Sequence, residues 1–94
     1  MQGVGMMNLK LTEELWREGT MYVSFCPELE IASCGETVAQ AKKNLIEVIL
    51  INLEEARKLG TLPDLLRDAG LDEIQGVFMS RKELVGFTPI ELAV

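Results

Sequence analysis

Apolar and polar residues alternate at the beginning of the chain. Met7, Leu9 and Leu11 are apolar, and polar residues fill the positions between them. A period of two is typical of a β-strand with one solvent-facing side, so we predict a first strand at about residues 6–15. Turn residues follow at 17–19, and the β-favouring run Thr20–Cys26 predicts a second strand that forms a hairpin with the first.

A third strand is predicted after a proline turn. Pro27 has no backbone N–H to donate to a neighbouring strand, so residues 27–30, Pro-Glu-Leu-Glu, are expected to turn the chain. The short run Ile31–Cys34 then follows as a strand. Together the three strands predict an antiparallel meander.

A long helix is the most regular feature of the pattern. Thr37 followed three residues later by Gln40 is the signature of a capping box, and Gly60 suits the left-handed position that ends a helix. The apolar residues between these points form one helical stripe: Val38, Ala41, Leu45, Val48, Ile49, Ala56 and Leu59. Lys43, Glu47 and Glu54 lie opposite the stripe. We therefore predict a helix that packs its apolar stripe across the sheet.

Asn52 falls within the apolar stripe of this helix. A buried amide there would need hydrogen-bond partners to avoid a cost of about 1 to 3 kcal/mol, and it would then specify a contact. The other interpretation places the amide beyond the sheet edge, bonded to backbone or water. We favour the second.

A second apolar row, Ile46, Leu50 and Leu53, runs beside the main stripe. Two explanations are open. Either a short helix over Leu62–Ala69, closed by Gly70, folds back over the row, or the row is an interface between two copies of the chain.

The end of the chain has a weaker pattern. Apolar residues partly alternate there, and we predict a late strand at about residues 84–92, which Pro89 restricts to a sheet edge or a bulge. The predicted fold class is α+β, with a three-stranded antiparallel meander and a late edge strand packed on one long helix. Residues 1–94 are predicted to form a single domain.

Acidic residues outnumber basic ones. Nine Lys and Arg against fifteen Asp and Glu give a formal net charge of −6. That charge opposes a phosphate backbone, so we expect no direct binding of nucleic acid, whereas it favours encounter with a basic protein. Residues 1–7 carry no positive charge and no long apolar run, so we predict neither a secretory signal nor a membrane span, and a cytoplasmic location.

The residue types argue against catalysis. The chain has no histidine, and no Gly-rich phosphate loop or serine elbow is present. We predict no catalytic residue, no cofactor and no metal site, and we interpret Cys26 and Cys34 as small buried apolar residues. A metal-dependent nuclease would need converging carboxylates, for which the candidates are Glu13, Glu14, Glu28, Glu36 and Glu47. We interpret these five as solvated surface charges.

The order of strand, strand, strand, long helix and late strand resembles the HicB-like antitoxin family. The resemblance covers about residues 7–60 and depends on Pro27-Glu28-Leu29, followed by Gly35-Glu36-Thr37 at the start of a helix that contains Ala41. It implies a partial RNase H-like fold, of ββαβ type, whose members bind and silence a small basic ribonuclease toxin of the HicA type, often as oligomers. Two positions depart from the family pattern: Glu30-Ile31 replaces a frequent Pro-Gly pair, and Gln40 replaces an acidic residue.

Many HicB relatives carry a DNA-binding tail. Residues 61–94 have three basic and six acidic side chains, which is the wrong balance for contacts with phosphates. We therefore expect a short helix and a late strand without a DNA-binding domain. The alternative function is a stand-alone homo-oligomeric or ligand-binding domain of the same fold without a toxin partner.

Three carboxylates are the predicted partner contacts. Glu28, Glu30 and Glu36 lie at the two turns that flank the third strand, where they could offer an acidic rim to a basic partner. Trp16 and Tyr22 could also anchor a partner, although packing on the hairpin is the simpler interpretation for both.

Overall fold

The computed structural model describes residues 7–94 and shows an α+β chain with two three-stranded sheets and one long helix. Its elements are β1 (Asn8–Lys10), β2 (Glu14–Glu18), β3 (Met21–Cys26), β4 (Ile31–Gly35), α1 (Val38–Leu59), α2 (Leu62–Asp68), β5 (Leu71–Ile74) and β6 (Val77–Ser80). Helix α1 packs mainly on β4 and β3, while α2 packs on α1 and β5.

The predicted meander is present as the sheet β2-β3-β4. Both pairings are antiparallel, with Trp16 opposite Val23 and Val23 opposite Cys34. Gly19 has a φ of 62° in the tight turn between β2 and β3, a conformation that glycine adopts without strain. Because side chains alternate across a strand, the fully buried Ser24 faces α1, whereas Val23 faces the other side of the sheet.

The predicted first strand is divided in two. Strand β1 ends at Lys10 and belongs to the other sheet, and β2 begins at Glu14. Between them, the backbone N–H of Thr12 donates to the carboxylate of Glu28 and not to a neighbouring strand, so the ladder is interrupted there. The predicted start of the first strand at residue 6 lies outside the described residues. Residues 1–6 of the segment 1–7, for which we predict no secretory signal, also lie outside them.

The predicted long helix is confirmed with both of its caps. The hydroxyl of Thr37 accepts a hydrogen bond from the N–H of Gln40, and the side-chain oxygen of Gln40 accepts one from the N–H of Glu36. At the other end, Gly60 has a φ of 75° and its N–H donates to carbonyls of the last turn. Buried positions of the apolar stripe are Ala41, Leu45, Ile49 and Ala56.

The predicted late strand is wrong. Residues 82–94 have no regular secondary structure, and the late strands are β5 and β6, which form a hairpin through Gln75 and Gly76. Both turn residues have positive φ, as a two-residue type I′ turn requires. Strand β1 then pairs in parallel with β6, which completes the second sheet in the order β1-β6-β5.

The core consists of two connected clusters. One holds Cys26, Leu45 and Ile49 between the meander and α1, and the other holds Ala56, Leu62, Leu66 and Leu71 around α2. The short helix predicted at residues 62–69 is therefore present, and it covers Leu53 of the second apolar row. Ile46 and Leu50 of that row are 46% and 58% exposed. No helix within residues 7–94 is long and apolar enough to cross a membrane.

Candidate partner-binding site

Glu28 is the most strongly connected of the three predicted contact residues. One of its carboxylate oxygens accepts a hydrogen bond from the backbone N–H of Thr12 at 2.9 Å, and the other accepts one from the Thr12 hydroxyl at 2.6 Å. Burial raises the pKa of Glu28, but these hydrogen bonds outweigh it and hold the pKa below its ordinary value. The carboxylate is thus ionised at neutral pH, and its hydrogen bonds tie the turn after β3 to the segment before β2.

Cys26 lies beneath the same carboxylate. Its buried Sγ donates to Glu28 Oε1 over 3.4 Å. Burial raises the pKa of the thiol, and the neighbouring negative charge of Glu28 raises it further. The thiol therefore stays neutral as a small core group. Cys34 differs from the prediction because it is exposed, on the solvent-facing side of β4.

Glu30 is exposed at the end of the same turn. Its φ of 56° lies in the left-handed region, where a side chain is unusual and glycine is favoured. The backbone conformation of the turn therefore presents this carboxylate at the surface, next to the start of β4.

Glu36 lies apart from the other two. It follows the opposite end of β4, where its N–H donates to Gln40 at the beginning of α1. Glu36 is six positions after Glu30, and the five residues between them form β4, so the two are about 20 Å apart at about 3.3 Å per residue. The structure thus brings Glu28 and Glu30 together but does not place Glu36 on the same rim.

Two aspartates complete the acidic surface around Glu30. A groove of about 580 Å³ lies between the β3–β4 turn, α1 and α2, and its carboxylates are Glu28, Glu30, Asp64 and Asp68. We call this the acidic groove. Leu29, Ile31, Leu53 and Leu65 supply apolar surface within it. Asp64 forms an exposed ion pair with Arg67 at 2.6 Å, and both oxygens of Glu28 accept hydrogen bonds from Thr12. Within residues 7–94, Glu30 and Asp68 are therefore the two carboxylates of the groove with neither an ion pair nor a side-chain hydrogen bond.

The sequence contained a usable signal for the two aspartates. Asp64 and Asp68 are four residues apart, so they lie on one face of α2. A helix that folds back was one of two explanations open from the sequence for the second apolar row, and the face of that helix that meets the β3–β4 turn depends on tertiary packing. An adjoining depression continues past Glu30 toward Glu14 and Glu83, with Lys82 beside them.

A second groove, which is mostly apolar, lies along α1. It encloses about 540 Å³, and side chains from β1 and from the segment before β2 form its other wall. The lining residues of α1 include Lys42, Ile46, Leu50 and Glu54, which follow one another at intervals of four. We call these four residues the outer row.

Other candidate residues have simpler roles. Asn52 is exposed and donates to the carbonyl of Val48 at 2.8 Å, which confirms the interpretation that its amide bonds to backbone outside the core. Trp16 packs edge to face against Phe87, with ring centroids 5.8 Å apart. Within residues 7–94, no group of three or more Cys, Asp or Glu side chains is arranged to hold a metal ion.

The acidic groove thus combines carboxylates from two parts of the chain, apolar surface and a turn that is fixed by internal hydrogen bonds. Comparisons of the chain with models of known protein families, with curated proteins and with solved structures find no match.

Proposed function

We propose that this chain is a HicB-like, antitoxin-type protein that binds and occludes a small basic ribonuclease toxin of the HicA type. The observation that supports the proposal most directly is the acidic groove. Its carboxylates come from two separate parts of the chain, the β3–β4 turn and α2, and they surround apolar surface.

The chemistry of the groove suits a basic protein. Lysine and arginine side chains of a partner would meet Glu30 and Asp68, and charge-assisted hydrogen bonds to carboxylates are stronger than neutral ones. Leu29 and Leu65 offer apolar area, which supplies affinity once water is excluded. The net charge of −6 adds long-range attraction that accelerates encounter.

Glu28 would act mainly as a positioning residue. Both of its oxygens already accept hydrogen bonds within the chain, so its role is to hold the turn that presents Glu30. A turn that is ordered before binding loses less conformational entropy in the complex. Glu36, at the far end of β4, is not part of this proposal.

The resemblance over residues 7–60 supplies the partner class and the fold that we propose, the partial RNase H-like fold of HicB antitoxins. The sequence after residue 60 departs from relatives with a DNA-binding tail, so operator binding is not proposed.

The test captures partners of the tagged chain from a lysate of its source cells. A small basic protein that is recovered with the chain is then purified alone and assayed for RNA cleavage with increasing amounts of the chain. We expect cleavage to stop at a fixed molar ratio. The double variant Glu30→Lys/Asp68→Lys should lose this inhibition, because it reverses the charges of the two groove carboxylates that have neither an ion pair nor a side-chain hydrogen bond within residues 7–94.

A matched control distinguishes the effect of the groove carboxylates on inhibition from the effect of the net charge. Glu47→Lys/Glu73→Lys changes the net charge by the same amount at two exposed positions elsewhere, and it should still inhibit. Equal loss in both double variants would assign the effect to net charge and overturn the groove as the site. Undiminished RNA cleavage in the presence of the unmodified chain would overturn the antitoxin function.

A further inference from the structure

The outer row of α1 is exposed, and its charged and aliphatic side chains follow one another in a definite order. From one end to the other it reads Lys42, Ile46, Leu50 and Glu54, that is, a cation, two aliphatic side chains and an anion. Residues four apart form a continuous ridge along a helix surface. Among residues 7–94, neither Lys42 nor Glu54 is in an ion pair, and both aliphatic side chains remain about half exposed.

When two copies of the row are placed side by side in opposite directions, each cation faces an anion and each aliphatic side chain faces another aliphatic side chain. A twofold axis through the middle of the row, between Ile46 and Leu50, would bring each Ile46 against Leu50 of a second copy. The same rotation would place each Lys42 against Glu54 of the second copy. Isologous contacts of this kind, in which residue i meets j and j meets i, characterise twofold dimers.

We propose that the chain forms a twofold homodimer through antiparallel pairing of its α1 helices along the outer row. The occupant of the apolar groove is therefore the α1 helix of a second copy. The charge order argues for this occupant, because an unrelated partner would not require the row to match its own reverse. The proposal is independent of the antitoxin function.

The groove beside the row has the right form for such packing. Its floor contains Leu45, Ile49 and Leu53, which form the neighbouring row of α1 at the same interval of four. Ridges with this spacing interdigitate when two helices cross at about −50°, the commonest class of helix packing. At that angle the two outer rows run alongside each other, so both ion pairs and both aliphatic contacts can form together.

The length of the row is compatible with contact at both ends. Lys42 and Glu54 are twelve residues apart, which corresponds to about 18 Å along the helix axis. The contact therefore extends over three turns on each side of the dimer. Leu9 and Leu11, on the opposite wall of the groove, would be covered further by the second helix.

The test begins with sedimentation velocity and mass photometry of the full chain over a wide concentration range. We expect a reversible monomer–dimer equilibrium. Leu50→Asp should raise the dimer Kd about a hundredfold, since the aliphatic contact is lost twice in each dimer. Ile51→Asp is the matched control. Ile51 is 67% exposed on the same helix but does not line this groove, so the dimer Kd of this variant should equal that of the unmodified chain.

Charge exchange tests the proposed register. Lys42→Glu or Glu54→Lys alone should raise Kd about tenfold, because each reversal creates two repulsive pairs in a dimer. A mixture of the two single variants should instead form heterodimers at the unmodified affinity, since both pairs then join opposite charges. One pair has its signs exchanged, and the other joins the unmodified Glu54 of one copy to the unmodified Lys42 of the other. Circular dichroism establishes that each variant is folded.

Three results would overturn the proposal. The first is a monomer at every concentration of the unmodified chain. The second is a dimer whose Kd responds equally to Leu50→Asp and Ile51→Asp. The third is a dimer whose charge variants fail to rescue each other when mixed. Because these experiments use the chain alone, their failure leaves the proposed binding of a ribonuclease untouched.

Discussion

Thr12 and Glu28 are joined by two hydrogen bonds across sixteen residues of sequence. The backbone N–H of Thr12 and its hydroxyl each donate to a different oxygen of the Glu28 carboxylate, over 2.9 and 2.6 Å. The contact spans the point where β1 leaves one sheet and β2 enters the other. One ionised side chain therefore holds both the sheet junction and the turn that presents Glu30.

Replacing this carboxylate should destabilise the fold. Glu28→Gln keeps the size of the side chain but offers only one acceptor oxygen to two donors of Thr12. We expect the free energy of unfolding to fall by about 1 to 3 kcal/mol, as measured by urea denaturation. Glu30→Gln, at an exposed neighbouring position, is the control and should change it by less than about 0.5 kcal/mol. Equal effects of the two substitutions would show that the Thr12 contact has no special role.

The same carboxylate should make stability depend on acid pH. The pKa of Glu28 is lower in the folded chain than the ordinary value of about 4.3, so the unfolded state binds more protons between the two values. The stabilisation is thus complete above the ordinary value and is lost as the pH falls through the lowered one. Unfolding free energies measured from neutral to acid pH should decline more steeply for the unmodified chain than for Glu28→Gln. Parallel curves would contradict an ionised, hydrogen-bonded Glu28.

The two cysteines should react at very different rates. Cys34 is exposed, whereas Cys26 is fully buried and its pKa is raised by burial and by Glu28. Because the thiolate is the reacting form, iodoacetamide at neutral pH should label Cys34 in the native chain and leave Cys26 unmodified. Peptide mass spectrometry assigns the two sites. In urea both should react, which is the control for intrinsic reactivity; rapid native labelling of Cys26 would contradict its burial.

The elements that could be predicted from the sequence are those whose signals are local. Thr37, Gln40 and Gly60 specify both ends of α1 within a few residues of the chain, and the structure contains those caps. The late strand was misplaced because strand pairing is not local. Strand β6 pairs in parallel with β1 near the opposite end of the chain, and alternation at 84–92 carries no information about that partner.

The candidate site was predicted in part for the same reason. The turn at 27–30 is a local feature, so Glu28 and Glu30 could be recognised as neighbours. Asp64 and Asp68 reach the groove only because α2 folds back onto α1, a tertiary contact. Glu36 is close to Glu28 and Glu30 in sequence, but an extended strand, β4, separates it from them in space.

Gly35 should not tolerate even one additional methyl group. It is buried at the end of β4, and a Cβ built there would lie 2.6 Å from the backbone nitrogen of Ala41 and 2.7 Å from the Cβ of Gln40. Backbone atoms of a capped helix have little freedom to move, so Gly35→Ala should lower the free energy of unfolding by about 1 to 3 kcal/mol. The control is Gly86→Ala, where a Cβ would have no neighbour within 4 Å. Similar stabilities of the two variants in urea would show that α1 does not approach β4 this closely.

The contact between Trp16 and Phe87 should be measurable by fluorescence, because Trp16 is the only tryptophan in the chain. Phe87 belongs to the segment after β6 that has no regular secondary structure, and its ring packs on the solvent-facing side of the meander. Phe87→Ala should shift the emission to longer wavelength as water reaches the indole, with a loss of stability of about 0.5 to 1.5 kcal/mol. Ile90→Ala removes an 80% exposed side chain from the same segment and should leave the spectrum unchanged. If the two variants have the same emission maximum as the unmodified chain, the segment does not rest on Trp16 in solution.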